Sequence, residues 1–216
     1  MKLWQKESTH TAALTEKFTV GKDREFDLLL AAYDVQGSLA HTEMLCQVGL
    51  LSIDEKELIH KELKRILEEI EAGQFVIEND VEDVHSQIEL MLTRNIGEAG
   101  KKIHSGRSRN DQVAVDIKLF LKQGVLEIKS ATKALFDCLI TLSELHKSKL
   151  LPGYTHMQIA MPSSLGLWFG AYAESLTDDM ELLATAYNMA NKNPLGSGAG
   201  YGSSLPINRT ATTQLL

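Results

Sequence analysis

Residues 104–125 read HSGRSRNDQVAVDIKLFLKQGV, and the way this stretch changes character decides the fold. Residues 104–112 carry an imidazole, two guanidiniums, two hydroxyls, two amides and a carboxylate. From there Ile117, Leu121, Val125, Ile128, Ala131, Leu135, Cys138, Leu142 and Leu145 recur in steps of three and four. That spacing predicts one helix from about 110 to 147, on the order of 55 Å long at 1.5 Å per residue. Its period lies close to that of a coiled coil, so the helix should run nearly parallel to its neighbours in a bundle.

The same periodicity extends outward in both directions. Residues 24–50 repeat it through Leu28, Ala32, Val35, Leu39 and Cys46. Ser52 and Glu55 form a capping-box pattern ahead of Leu58, Ile59, Leu63, Ile66, Leu67 and Ile70, and Gly73 is placed as a stop. A shorter helix is expected from near Asp80 to Gly97. All four prolines lie beyond residue 150. Pro152-Gly153 reads as a turn, and Pro162 as the first position of a helix through Leu165, Phe169, Tyr172, Leu176, Leu183 and Tyr187. Gly166 and Gly170 share a face of that helix and would admit a close neighbour. No convincing alternating strand is visible. The expected class is all-α, with long helices that need partners outside this chain to cover them.

Composition narrows the function classes. A 216-residue chain can bury a real core. A net charge of −7 and a pI near 5.5 argue against a general nucleic-acid binder. No apolar run is long enough to span a bilayer, and the start lacks the apolar region of a secretory signal. Cys46 and Cys138 sit in apolar-periodic segments, which predicts buried thiols rather than a disulfide. These features predict a soluble, cytoplasmic protein without membrane or nucleic-acid partners.

In a helical bundle, chemistry sits at helix ends or on inward-facing polar positions. Gly106 permits a tight turn, and Ser108, Asn110 or Asp111 can cap the long helix. A helix start offers free N–H groups and a positive dipole end, and Arg107 and Arg109 add forks that suit a carboxylate or phosphate. A capped start with solvated charges accounts for the same residues, and the stretch alone leaves both readings open. EDVHSQIE (82–89) places His85 at the border of an apolar face, where structural histidines are common. PGYTHMQIAMP (152–162) places Thr155 and His156 in a loop. Neither has metal-ligand spacing, and no phosphate-binding or dinucleotide fingerprint occurs.

Together the stretches resemble the argininosuccinate lyase family of the fumarase/aspartase superfamily. The resemblance runs through KLW (2–4), DVQGSLAH (34–41), EDVH (82–85), HSGRSRNDQVAVD (104–116), PGYTHMQ (152–158) and PLGSGA (194–199), in family order. It implies an all-α, fumarase/aspartase-like fold: a small N-terminal helical domain over 1–107, then the first part of a long-helix bundle over 108–216. It implies reversible β-elimination of argininosuccinate to fumarate and arginine, in arginine biosynthesis, without metal or organic cofactor. Such a reaction passes through a carboxylate-stabilised carbanion, which needs preorganised positive charge and N–H donors. The resemblance places Ser108, Arg109, Asn110, His85, Asp83 and Asp34 on the substrate. Thr155 and His156 are implied as catalytic, facing the substrate from another subunit of a homotetramer.

Several positions depart from the family pattern. The start reads KLWQKES, no serine of the family's F-N-x-S type follows Phe18, and Met161 and Leu167 stand where the family has other residues. The family's mobile loop, which carries the base serine, is not matched by YGSSLPINRT. That stretch reads instead as a helix-capping loop in which Asn208 starts the next helix, and Ser204 is rejected as the base. The expectation is therefore an N-terminal fragment of a carbon-nitrogen lyase, inactive by itself. Two alternatives stay open: a non-catalytic structural or regulatory protein on the same scaffold, as crystallin relatives exemplify, or a lyase for another succinyl adduct.

Overall fold

The structure, a computed structural model, describes Phe18 and residues 20–216, so the KLW motif at 2–4 lies outside the described residues. The elements in order are α1 (Asp23–Asp27), α2 (Ala31–Gln47), α3 (Ile53–Glu71), α4 (Val84–Ile96) and α5 (Glu98–Lys101). A 3-10 turn (Lys102–His104) leads to α6 (Arg109–His146), β1 (Leu150–Thr155), β2 (Gln158–Ser164), α7 (Leu165–Ala190) and α8 (Arg209–Leu215). Among the described residues, no helix is long and apolar enough to cross a membrane. The described residues form two compact units, one of those up to residue 120 with 192–216 and one of residues 121–191.

In the first unit, α3 begins where its cap dictates. Ser52 Oγ accepts from Glu55 N at 3.2 Å, and Glu55 Oε2 accepts from Ser52 N at 3.0 Å. Past its last turn Gly73 adopts φ +68°, the left-handed stop expected of it. Ile59, Leu63 and Ile66, spaced by four and three, are fully buried against Val35, Met44 and Leu45 of α2 and Ile88 and Leu92 of α4. Each such side chain contributes roughly 1.5–3 kcal/mol of burial free energy.

The expected helix over 24–50 is two helices, α1 and α2. Around residues 28–31 the backbone switches to i→i−3 bonds, Leu29 N to Phe26 O at 3.0 Å and Leu30 N to Asp27 O at 2.9 Å. Tertiary tethers hold α1 in place: Arg24 Nε donates to Val81 O at 2.9 Å, and Val84 N donates to Asp27 Oδ2 at 3.2 Å. The helix expected from Asp80 starts instead at Val84, because Asp83 is its cap and accepts from Ser86 N at 2.7 Å.

The second unit holds the remainder of α6, the hairpin and α7. The hairpin corrects two expectations. Pro152-Gly153 is not a turn and Pro162 does not open a helix; the two prolines face each other across β1 and β2. In a two-stranded ribbon both strands are edges and tolerate a missing N–H. Most of the ribbon is exposed, and neither LLPGYT nor QIAMPSS alternates apolar with polar residues. α7 begins at Leu165, because Ser164 Oγ accepts from Leu167 N at 3.1 Å.

Gly166 admits the expected close neighbour. A Cβ there would lie 2.6 Å from Lys147 Cα, and Ser143 Oγ donates to Gly166 O at 2.7 Å. Both cysteines are free, but Cys46 is half-buried and Cys138 exposed rather than buried. Cys138 shares α6 with Ile128, Leu135 and Ile140, which are exposed as well.

Candidate functional site

The site grows from a polar stripe on a buried helix. Asp34, Ser38 and His41 follow one another at i, i+4 and i+7 on α2, and each is at most 1% exposed. The first turns of α6 face this stripe with Gln112 and Asp116, again four residues apart and buried. The close approach depends on Gly37, where a Cβ would lie 3.3 Å from Val115 Cγ1 and 3.4 Å from Asp116 Oδ1.

His85 enters between them from α4. Its Nδ1 lies 3.0 Å from Asp34 Oδ1 and 3.4 Å from Asp116 Oδ2, and Gln112 Nε2 donates to Asp34 Oδ1 at 2.6 Å. At the border of the apolar face of α4, His85 is 4% exposed and held by carboxyl groups. Among the described residues, Asp34 Oδ2 and both oxygens of Asp116 have no hydrogen-bond donor. Burial, and after it the Asp34 charge, pushes the Asp116 carboxyl well above the usual carboxylate range. Asp34, His85 and Asp116 also have the donor types a divalent cation accepts, with one such atom from each within 4.8 Å of the others.

Arg107 lies beside this cluster, 8% exposed, and its guanidinium donates to Ser38 Oγ at 3.0 Å. Burial first and the Arg107 charge second push His41 down to about 3 and also lower His104. His41 is therefore a neutral imidazole, whose Nε2–H donates to Ser105 O at 2.9 Å.

Asp111 ties the start of α6 to the loop over 193–208. Asp111 Oδ1 accepts from Ser108 N at 2.9 Å, closing the first turn. Asp111 Oδ2 accepts from Gly196 N at 3.1 Å and Gly198 N at 2.8 Å. Those glycines have φ of +88° and +57°, a backbone that turns both N–H groups toward the one carboxylate oxygen. The PLGSGA stretch thus holds the cap of α6. Asn208 caps α8, as expected, by accepting from Ala211 N at 3.0 Å.

Arg109 points toward the cap of α4. Its Nη2 donates to Ser86 Oγ at 3.2 Å, and Nη1 lies 3.6 Å from Asp83 Oδ1. Among the described residues, Arg109 Nε and Nη1 lack hydrogen-bond acceptors, so the guanidinium retains donor capacity. Asn110 is exposed at the same helix start, and its N–H donates to Ser108 Oγ at 3.3 Å.

Of the residues singled out from sequence, Asp34, Asp83, His85, Ser108, Arg109 and Asn110 all belong to the first unit, around the starts of α4 and α6. Thr155 and His156 belong to the second, at the hairpin tip. His156 and Met157 form a two-residue turn with φ of +48° and +61°. Such a turn favours Asn-Gly, so two side-chain-bearing residues here represent stored backbone strain of the kind that clusters at functional sites. Residue-level reading missed Ser38, Gln112 and Asp116 as parts of the site; Arg107 was expected only as an anion fork and Asp111 only as a cap. The polar i, i+4 pair Gln112–Asp116, running into an apolar-periodic helix, was the available signal.

Comparison with known proteins agrees with this architecture. Residues 6–216 match the lyase family profile. The chain is 61% identical to the argininosuccinate lyase of Bacteroides thetaiotaomicron over all of its own length and 48% of the relative's. It is 58% identical to that of Phocaeicola vulgatus, with the same coverage. The chain therefore spans about half the length of these curated relatives. Among solved structures, an EDDS lyase variant with bound fumarate superposes with a TM-score of 0.77 at 26% identity, covering 95% of this chain and 41% of that one. A helical chain whose match covers nearly its full length belongs, on these grounds, to the lyase family.

Proposed function

We propose that the protein to which this chain belongs is an argininosuccinate lyase. It cleaves argininosuccinate reversibly to arginine and fumarate by β-elimination, as a cytoplasmic homotetramer with sites shared between subunits. Argininosuccinate carries three carboxylates, and its elimination builds further negative charge on the carbon next to one of them. The observation that carries the reading is Arg109, a guanidinium with unused N–H donors at the start of a 38-residue helix. A guanidinium beside a helix start is a combination that suits a carboxylate and the charge developing next to it. Ser108 and Asn110 complete that start; Asp34, Asp83 and His85 bind or orient the substrate; His156 with Thr155 takes part in proton transfer from another subunit. In this reading residues 1–107 form the N-terminal domain and 108–216 open the long-helix bundle, and the 216-residue chain by itself is inactive.

The test compares Arg109→Ala with Lys101→Ala in the complete protein, following fumarate release. Lys101 pairs with Glu98 on the surface and faces no part of the site. Arg109→Ala is expected to lower kcat/KM by a factor of about 100 or more, the scale of lost transition-state donors, and Lys101→Ala by less than about twofold. Equal small losses would reduce the helix start to a solvated cap.

A further inference from the structure

The buried carboxyl pair behind His85 has an unusual charge problem. Asp34 and Asp116 come from different helices, their side chains are 1% and 0% exposed, and both approach the same His85 nitrogen. Asp34 has donors on Oδ1 from His85 and Gln112, while its Oδ2 has none among the described residues. Asp116 has no donor on either oxygen among the described residues. Two ionised carboxylates so close together, one of them without a single hydrogen bond, are an arrangement that buried sites relieve by taking up a proton.

We propose that Asp34 and Asp116 hold one proton between them, with Asp116 the neutral acid and Asp34 the carboxylate, and that Asp116 is thereby a positioning residue for His85. A protonated Asp116 has an O–H to donate, and Asp34 Oδ2 is an acceptor still waiting for one. Asp34 then accepts from Asp116, Gln112 and His85 together. The His85 ring is fixed with Nδ1 as the donor, which leaves Nε2 as the acceptor in the neutral imidazole. The raised proton affinity of Asp116, caused by burial and the Asp34 charge, agrees with this assignment.

Charged and titratable groups reach the pair from three sides. His85 faces the pair from α4, Arg107 from the turn before α6, and Arg109 from the first turn of α6; the two guanidinium charges favour an ionised Asp116, but burial and the Asp34 charge each outweigh either of them. Gly37 of α2 packs on Asp116 Oδ1 and leaves no room for a further side chain. The inference rests on the proposed function only where it gives His85 a substrate to act on; the proton itself is a property of the fold.

The experiment uses the complete protein, as wild type, Asp116→Asn and Asp116→Ala. Infrared difference spectra between wild type and Asp116→Asn at neutral pH should show the carbonyl stretch of a protonated carboxylic acid in the wild type only. Nitrogen-15 spectra of the histidine rings should place the His85 proton on Nδ1 in the wild type. That signal should persist in Asp116→Asn, whose amide N–H can replace the acid O–H toward Asp34, and be lost in Asp116→Ala. A purely space-filling role for Asp116 would not produce the infrared band. Absence of the band overturns the proposal, and so does a stoichiometric divalent cation in the purified wild type that Asp116→Asn removes. If argininosuccinate is not cleaved, the proposed function fails while the band and the His85 signal remain.

Discussion

His41 makes the protein sensitive to mild acid, by an amount that follows from its burial. Its proton affinity falls from an ordinary pKa of 6.5 to about 3 in the folded chain, first through burial and then through the Arg107 charge. In the unfolded chain the imidazole takes up a proton as pH drops through 6.5, whereas the folded chain resists until about 3. The unfolded state therefore binds more protons throughout this window, and stability falls with falling pH. Between about pH 7.5 and about pH 5 the His41 contribution to this loss is about 2 kcal/mol. The figure is insensitive to the native value, because at pH 5 the folded imidazole is already neutral whether it titrates at about 3 or about 4. Burial lowers His60 and His104 as well, so each adds a loss of the same sign. His41→Gln isolates the one residue. Urea unfolding of wild type and variant at both pH values should show a loss on acidification about 2 kcal/mol smaller in the variant. The variant should also be weaker at neutral pH, since the bond to Ser105 O is disturbed. Equal losses in the two proteins would refute a neutral, desolvated His41.

Asp111→Ala removes the acceptor for three backbone N–H groups, those of Ser108, Gly196 and Gly198. At about 1–3 kcal/mol for each buried donor left unsatisfied, the loss should be several kcal/mol, with faster hydrogen exchange at Gly196 and Gly198 as its local readout. Unchanged exchange there would show that Asp111 does not hold the loop. Gly100→Ala brings a Cβ to 2.7 Å from the Leu92 carbonyl carbon, where only backbone movement can make room. A loss of about 2–3 kcal/mol, visible as a lower Tm, is expected, and a neutral effect would contradict that close approach.

The local elements were legible in the sequence because their causes are local. The Ser52–Glu55 cap, the Gly73 stop and the long apolar period from Ile117 to Leu145 act within a few residues of themselves and emerge where the pattern placed them. The α1–α2 break was not legible, because Arg24 and Asp27 are tied to residues more than fifty positions away. Nor was the hairpin, whose strand sequences LLPGYT and QIAMPSS carry no polar-apolar alternation to read. At the site the sequence by itself determined the chemical inventory: Asp34, His85, Arg109 and the polar run over 104–112, in an order that resembles one family. Tertiary structure alone decided which of them meet. The closest contact between carboxyl and imidazole joins positions 34 and 85, and Asp116 reaches both only because Gly37 lets α2 and α6 pack backbone to side chain. Proton affinities such as those of His41 and Asp116 follow from that packing, since desolvation and neighbouring charge belong to the folded interior and not to any stretch of chain.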